Sequence, residues 1–372
     1  MNPTVTFIVP CYKFAHLLPE CIHSILGQSY TDLEIIIMDD CSPDDTPQVA
    51  QSFDDPRVRY VRNEPNLGHL KNYNKGLGLA RGKYIWLISA DDRLRRMDAL
   101  KLYVDLLDAH PEVGYVFCPG MSLQDGKETE LLKYTCHGEK DAIFDGHRFI
   151  PMALRESGIV AASVMARKEC YDRLGGYPLN MPHQADIYLW CKFALHYKVG
   201  YFAEPMVNYR LHSTSMMQTF FRESPVSIVE DELRVLWGIK GEAEELGLAE
   251  LARECRELIA ARYSFYVQSG IAKDHVLALT VAECEESVGR TAKNRRERGL
   301  ILAAVYTRIG DLRYWHDDSR EALQWYGRAL AEDRYRPAAW VKYGLLRFGW
   351  AGRALRSFRK SAMQVYKRAI SA

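Results

Sequence analysis

The 372-residue chain lacks a long apolar run. The longest, Ile159 to Ala166, falls far short of the ~20 residues a membrane-spanning helix needs. No two of its nine cysteines (11, 21, 41, 118, 136, 170, 191, 255 and 284) have C-x-x-C spacing, their number is odd, and several sit inside apolar runs. That pattern excludes a disulfide or zinc framework and predicts buried, reduced thiols. The N-terminal MNPTVTFIVP has no basic region followed by an apolar stretch, so no signal peptide is expected. These absences together predict a cytoplasmic protein. Net charge is nearly absent too, with 49 Lys and Arg against 48 Asp and Glu. A globally basic nucleic-acid binder is thereby excluded. Proline occurs only once after Pro225, at Pro337, and acids stop at Asp333. The 39 residues from Arg334 onward hold ten Lys and Arg, a separation that points to an anionic partner.

What is present is a globular composition, 48% apolar and 26% charged, in a chain long enough for two or three domains. The first half alternates strand and helix patterns. Strands are predicted at 5–10 (VTFIVP), 33–40 (LEIIIMDD), 58–63 (VRYVRN), 84–92 (YIWLISADD) and 113–118 (VGYVFC). Helices are predicted between them, at 14–26, over a stretch ended by Gly82, and at 94–110. Near-continuous apolar strands alternating with helices predict a parallel sheet covered on both faces. Ligands of such sheets sit beyond the carboxyl ends of the strands. Those ends carry Pro10 to Tyr12, Asp39–Asp40 and Asp91–Asp92, which should share one crevice. Farther on, strands are predicted at 160–166 and 207–212 and helices at 168–174 and 185–196. Beyond Pro225 the chain reads as all helix, which sets a domain boundary at about 222–226, with domains at 1–222 and 223–372.

IVPCYKFAHLLPECIHSILGQSYTDLEIIIMDDCSPDDT, NLGHLKNYNKGL, YIWLISADD, ADIYLW and YRLHSTS, in that order, resemble the family 2 glycosyltransferases of the GT-A fold. The resemblance covers residues 4–220. It implies a Rossmann-like nucleotide-diphospho-sugar transferase domain, here followed by an all-α C-terminal region. The chemistry it implies has independent physical reasons. A nucleotide-sugar donor carries a diphosphate that must be neutralised as it leaves, and a hard divalent cation held by few carboxylates does this. By the resemblance, Asp92 binds Mn²⁺ or Mg²⁺ and Asp91 contacts the ribose or the donor sugar. Ser89 stands where the family often has the first Asp of its D-x-D element. The same acids also suit a solvated turn that caps a helix. Asp40 is expected to accept a hydrogen bond from the base, usually uracil N3–H, with Asp39 either assisting or capping the turn. Tyr12, next to Pro10, is expected to stack on the base.

Many relatives carry N-x-G-x-x-x-A-R-N-x-G where this chain has Asn72 and Tyr73 at the A-R positions. With the arginine missing, contact with the diphosphate or sugar falls to Lys71 or Asn74, while Asn66 and Gly68 shape the turn. A lone helical lysine is also commonly just solvated. Asp186, in QADIYLW, is the candidate base that takes the acceptor hydroxyl's proton in an inverting transfer. Its plainer reading is a helix N-cap, and Ala185 replaces the family's usual Glu. His212, in YRLHSTS, matches a histidine that completes the metal or diphosphate site in some relatives. Arg210 is expected to contact the phosphates or hold the loop, and the 213–222 segment to close over the donor.

The C-terminal region carries a weak 34-residue spacing: Gly310 to Gly344 and Tyr306 to Trp340, with Ala322, Tyr326 and Ala329 between. This resembles a tetratricopeptide-like unit; an ordinary helical bundle fits equally. In the basic tail, Leu355, Phe358, Met363 and Tyr366 can share one helical side. Such a helix suits an anionic membrane surface or a solvated cap. The helical region is expected to contact a protein partner or a second copy, or only the catalytic domain. The leading expectation is an inverting, metal-dependent transfer of a sugar from a nucleoside diphosphate, UDP in the first instance, to a glycan or lipid-linked saccharide in surface polysaccharide assembly. The alternatives are nucleotidyl transfer, disfavoured because no Gly-rich, Lys/Arg-bearing loop follows the first strand, and a partner-binding scaffold with an ancillary transferase domain.

Overall fold

A computed structural model describes residues 2–347 except 157, 224, 273–277 and 317. The chain divides into two compact units, Met1–Ala252 and Arg253–Ala372.

The first unit holds all the strands of the described residues: β1 Val5–Cys11, β2 Leu33–Asp39, β3 Val58–Arg62, β4 Tyr84–Leu87, β5 Arg93–Leu94, β6 Val113–Phe117, β7 Gly120–Gln124, β8 Lys127–Leu131, β9 Ala142–Phe144, β10 Met165–Arg167, β11 Lys198–Tyr201 and β12 Val207–Arg210. Its helices are α1 Leu18–Leu26, α2 Thr46–Gln51, α3 His69–Leu79, α4 Ala99–Ala109, α5 Gly146–Glu156, α6 Lys168–Leu174, α7 Ala185–Ala194, α8 Met216–Glu223 and α9 Pro225–Glu245. The main sheet has the order β3-β2-β1-β4-β10-β6-β11-β9. β1, β2 and β4 are buried along their whole length, as residues covered on both faces of a sheet must be. Phe7 stacks on Trp86 (5.4 Å between centroids) and Trp86 on Tyr103 (4.5 Å). Burial of each such side chain contributes roughly 1.5–3 kcal/mol.

The sheet is not wholly parallel as the alternation predicts. β10 runs antiparallel between β4 and β6, and β9 antiparallel beside β11. Several elements differ in extent: the strand expected at 160–166 is a short turn and then β10, the helix expected at 94–110 starts at Ala99, and two more differ beside the site. The strand expected over 84–92 stops at Leu87, although Ile88 N–H and Ala90 N–H still reach the carbonyls of Ile8 and Pro10. The third helix stops at Leu79 rather than at Gly82. Gly82 instead lies against β1, where a Cβ would meet Thr6 N at 2.5 Å.

Register aligns the strand ends. Cys11 pairs with Asp39, and Ala90 lies beside Pro10, so the residues that follow emerge at one level. A second sheet, β5-β12-β7-β8, adds the last part of the site. β12 pairs antiparallel with β5, which sets Arg210 beside Asp92.

All-helical composition begins near residue 223, but the first compact unit extends to Ala252. The reason is that α9 packs on α7: Glu242 accepts from Tyr188 Oη and pairs with Lys192 at 3.3 Å. α10, Ala249–Ala272, begins in the last residues of the first unit, and the second unit continues with α11 Val281–Thr291, α12 Arg295–Trp315, α13 Ser319–Glu332 and α14 Pro337–Arg347. Thr280, Asn294 and Asp318 cap the N-termini of α11, α12 and α13, satisfying backbone donors that a helix leaves open. α12 and α13 form a tight hairpin. Ala322, Tyr326 and Ala329 are buried in it, and a Cβ on Gly310 would meet the Tyr326 ring at 2.8 Å. The positions 34 residues later are not packed in this way. Trp340 is 53% exposed and Gly344 has nothing within 4 Å of its Cβ position. Leu355, Phe358, Met363 and Tyr366 lie outside the described residues. Among the described residues no helix is long and apolar enough to cross a membrane. Seven of the nine cysteines are buried; burial pushes the Cys11 thiol up to about 12 and that of Cys118 up to about 11.

Candidate active site

The strand ends open onto two adjoining cavities in the first unit. The larger, about 710 Å³, is lined by Pro10, Tyr12, Lys13, Asp40, Asn66 and Asp91, among others. Its volume suits a nucleotide-sized ligand. The smaller, about 160 Å³, holds Asp91, Asp92 and Asp186 together. His69, Tyr73, Ser89, Asp91, Met216 and Phe220 belong to both.

At the end of β2, the two acids diverge. Asp40 faces the larger cavity and staples the following loop. Its Oδ1 accepts from Asn63 Nδ2 (2.9 Å) and Leu67 N–H (2.8 Å), and its Oδ2 from Gly68 N–H (2.9 Å). One lone pair of Oδ2 is left for a further donor. Asp39 does not reach either cavity. It is fully buried, and its oxygens accept from Ser42 N–H (2.7 Å), Tyr60 Oη (2.6 Å) and the Arg62 guanidinium (2.6 Å). Successive strand residues point to opposite faces, so one of an Asp-Asp pair must turn away.

Lys71 and Asn74, expected at the diphosphate, are not brought there. Lys71 is exposed, and Asn74 is bound to the Tyr177 backbone through both its amide oxygen and its amide nitrogen at 2.8 Å. On α3 the face toward the cavities is set by His69, Asn72 and Tyr73. Lys71 stands two residues from His69 and from Tyr73, about 200° around a helix.

Asp91 and Asp92 end the turn after β4. Asp92 is buried, and its Oδ1 accepts from Arg210 N–H at 2.9 Å. Burial and the neighbouring Asp91 hold its carboxyl well above the usual carboxylate range. Arg210 also donates from Nε to the Asp91 carbonyl (2.7 Å) and pairs with Glu20, which pairs in turn with Arg93. It therefore holds the loop that carries both acids. His212 donates from Nε2 to Asp91 Oδ2 at 3.0 Å, while its Nδ1 lies 3.0 Å from Thr214 Oγ1. Asp91 Oδ1 is buried and, among the described residues, has no hydrogen-bond partner. No group of three or more His, Cys, Asp or Glu among the described residues is arranged to hold a metal ion. A hard cation bound mainly by phosphate oxygens and water needs fewer protein ligands than that. An orphaned carboxylate oxygen beside a second buried carboxylate fits such an ion.

Asp186 opens α7 on the far wall. It is half-buried, and burial pushes its carboxyl up to about 6 although Oδ1 accepts from Ile187 N–H at 2.8 Å. It does not act as the side-chain cap of its helix, which begins without one. The approach to α7 is tied to α9. Asp231 Oδ2 accepts from His183 N–H (2.8 Å), and His183 Nε2 lies 2.6 Å from Ser227 Oγ.

The motifs did not disclose His69, Tyr73, Tyr177, His183, Tyr209 and Phe220, all of which line the smaller cavity. His69 and Tyr73 are four apart and share a helix face, a readable signal. Tyr177 and His183 lie in the irregular segment before α7, where no period exists to read.

Residues 6–169 match the family model for glycosyl transferase family 2, and this part of the chain is a family 2 glycosyltransferase domain. The chain is 37% identical over 142 residues to succinoglycan biosynthesis protein ExoO of Rhizobium meliloti, an alignment covering 35% of this chain and 39% of that protein. Two solved structures share the fold. S. aureus TarS 1–349 in complex with UDP-GlcNAc superposes with a TM-score of 0.59 at 17% identity, over 97% of this chain and 92% of that one. The mannosyltransferase PcManGT from Pyrobaculum calidifontis, in complex with GDP-Man and Mn²⁺, gives 0.50 at 17% identity, over 91% and 88%.

Proposed function

We propose that the chain is an inverting, metal-dependent glycosyltransferase. It transfers a sugar from a nucleoside diphosphate, UDP in the first instance, to a hydroxyl of a glycan or lipid-linked saccharide. The observation that carries the reading is the meeting of Asp186, whose carboxyl titrates near neutrality, with the Asp91–Asp92 pair in one cavity. A base poised near the working pH combines a populated carboxylate with useful basicity. Tyr12 and Asp40 receive the nucleobase beside Pro10, by stacking and by the free lone pair of Asp40. Asp91 and Asp92 would hold a divalent cation, which would supply charge neutralisation to the departing diphosphate, while His212, expected as a metal ligand, instead orients Asp91 through its Nε2. Arg210 fixes that loop. Asp186 accepts the acceptor hydroxyl's proton as the oxygen attacks the anomeric carbon. The TarS and PcManGT complexes support a nucleotide-sugar donor, the Mn²⁺ in the latter supports the metal, and the Rhizobium relative's name supports a place in polysaccharide assembly. The ten basic residues after Asp333 extend the reading to an acceptor met at an anionic membrane surface.

The test is a thermal-shift panel of UDP, GDP, TDP and CMP with and without Mn²⁺. A ligand at 100 times its Kd stabilises by about 2.7 kcal/mol. A shift with one nucleotide that needs Mn²⁺ is expected. No shift with any of them rejects the reading.

A further inference from the structure

The charged protein side chains of the smaller cavity are of one sign. Asp91, Asp92 and Asp186 line it, and among the described residues no Lys or Arg does, whereas Lys13 lines the larger cavity. Besides Tyr73, Tyr177 and Tyr209, its other titratable contacts are His69 and His183. Burial holds both imidazoles below their ordinary pKa, so both are neutral at pH 7. A neutral imidazole offers one donor and one acceptor nitrogen. His69 donates from Nε2 to the Pro182 carbonyl at 2.9 Å, which fixes the tautomer and leaves Nδ1 an acceptor. His183 is held at its backbone by Asp231 and at Nε2 by Ser227. Its Nδ1 is buried and, among the described residues, without a partner. Buried polar atoms are rarely left so, and a ligand hydroxyl would satisfy this one. The Phe220 ring lies edge-to-face on His183, 4.2 Å between centroids. Tyr73, Tyr177 and Tyr209 add flat apolar surface of the kind that packs on a sugar's C–H face.

From this juxtaposition we infer that the acceptor unit seated beside Asp186 is an uncharged sugar, that His69 and His183 recognise its hydroxyls, and that a unit bearing a phosphate or carboxylate is rejected there. The inference rests on Asp186 being the base. A phosphate or uronate would meet Asp186 with no Lys or Arg on the acceptor wall to offset it, the divalent cation being committed to Asp91, Asp92 and the diphosphate. Such like-charge contact weakens binding of the charged unit and so gives specificity without adding affinity for the neutral one.

The full chain is assayed for nucleoside diphosphate release with Mn²⁺ and the nucleotide sugar whose nucleotide binds in the thermal-shift panel. Methyl glucoside, galactoside and mannoside are compared with the matching uronates and 6-phosphates. At least one neutral glycoside is expected to stimulate release, and its charged counterparts to fail. Preference for a charged member, or no stimulation by any glycoside while nucleotide still binds, overturns the inference. A chain that binds no nucleotide removes the glycosyltransferase reading itself, a distinct result. His183→Ala and His69→Ala should each raise the KM for the neutral glycoside roughly tenfold, a larger change than either makes in donor KM. His183→Lys should raise use of the uronate relative to the neutral sugar, a change that a merely structural role does not produce. An unchanged acceptor KM in both alanine variants, with no change of preference in His183→Lys, overturns the assignment of the histidines.

Discussion

Asp186 carries two opposed demands. Catalysis wants a carboxylate near neutral pKa, and folding disfavours an ionised group half-buried without a cation. Its carboxyl near 6 lies above the ~3.9 of an unfolded aspartate, so the native state binds the proton more tightly. Ionisation therefore weakens the fold as pH rises from about 4 through 6. Asp186→Asn should leave nucleotide binding intact and lower the transfer rate by ~10²–10⁴-fold. It should also be more stable than the parent by up to about 2–3 kcal/mol at pH 8 and no more stable at pH 4, as denaturant titration at the two pH values will show. For the unsubstituted chain, the acid limb of the rate profile should fall below pH ~6; a profile flat from pH 5 to 8 would count against Asp186 as base.

At the scale of elements, helix packing separates positions that share a residue type. Gly310 lies under the Tyr326 ring, so Gly310→Ala forces α12 and α13 apart and should cost about 1–3 kcal/mol. Gly344 meets nothing, and Gly344→Ala in α14 should stabilise by up to about 1 kcal/mol through helix propensity alone. Thermal melts of the two variants should move in opposite directions; equal shifts would mean that Gly344 is packed like Gly310. α9 is the other element with an assigned task. Asp231 is fully buried, accepting from His183 N–H and pairing with Arg234. Asp231→Ala should destabilise by about 2–4 kcal/mol and lower kcat, with Asp231→Asn restoring part of both, measured by melts and steady-state kinetics.

For the whole molecule, charge is distributed rather than abundant. The basic stretch after Asp333 balances an acidic remainder. If it meets a membrane, the chain should co-sediment with vesicles rich in anionic lipid, not with neutral ones, and release as salt rises above roughly 0.15 M, where the screening length falls to about 8 Å. Co-sedimentation that ignores lipid charge would dismiss the tail as the contact.

The sequence by itself determined the alternation of strands and helices, the positions of Tyr12 and Asp40 at strand ends and of Asp91 and Asp92 in the turn after one, the helix start at Asp186 and the helical composition of the last third. These follow from local patterning: period in strands and helices, and acids where apolar runs stop. Only the tertiary structure decided which of Asp39 and Asp40 faces the ligand side, that Lys71 turns outward while His69 and Tyr73 turn inward, and that β10 reverses within the sheet. It alone joined His183 to Asp231 and Ser227 on α9, and left the second member of the 34-residue spacing exposed. Such outcomes depend on which face of an element meets which neighbour, and on packing between residues tens of positions apart. Side-chain type at a single position does not encode them.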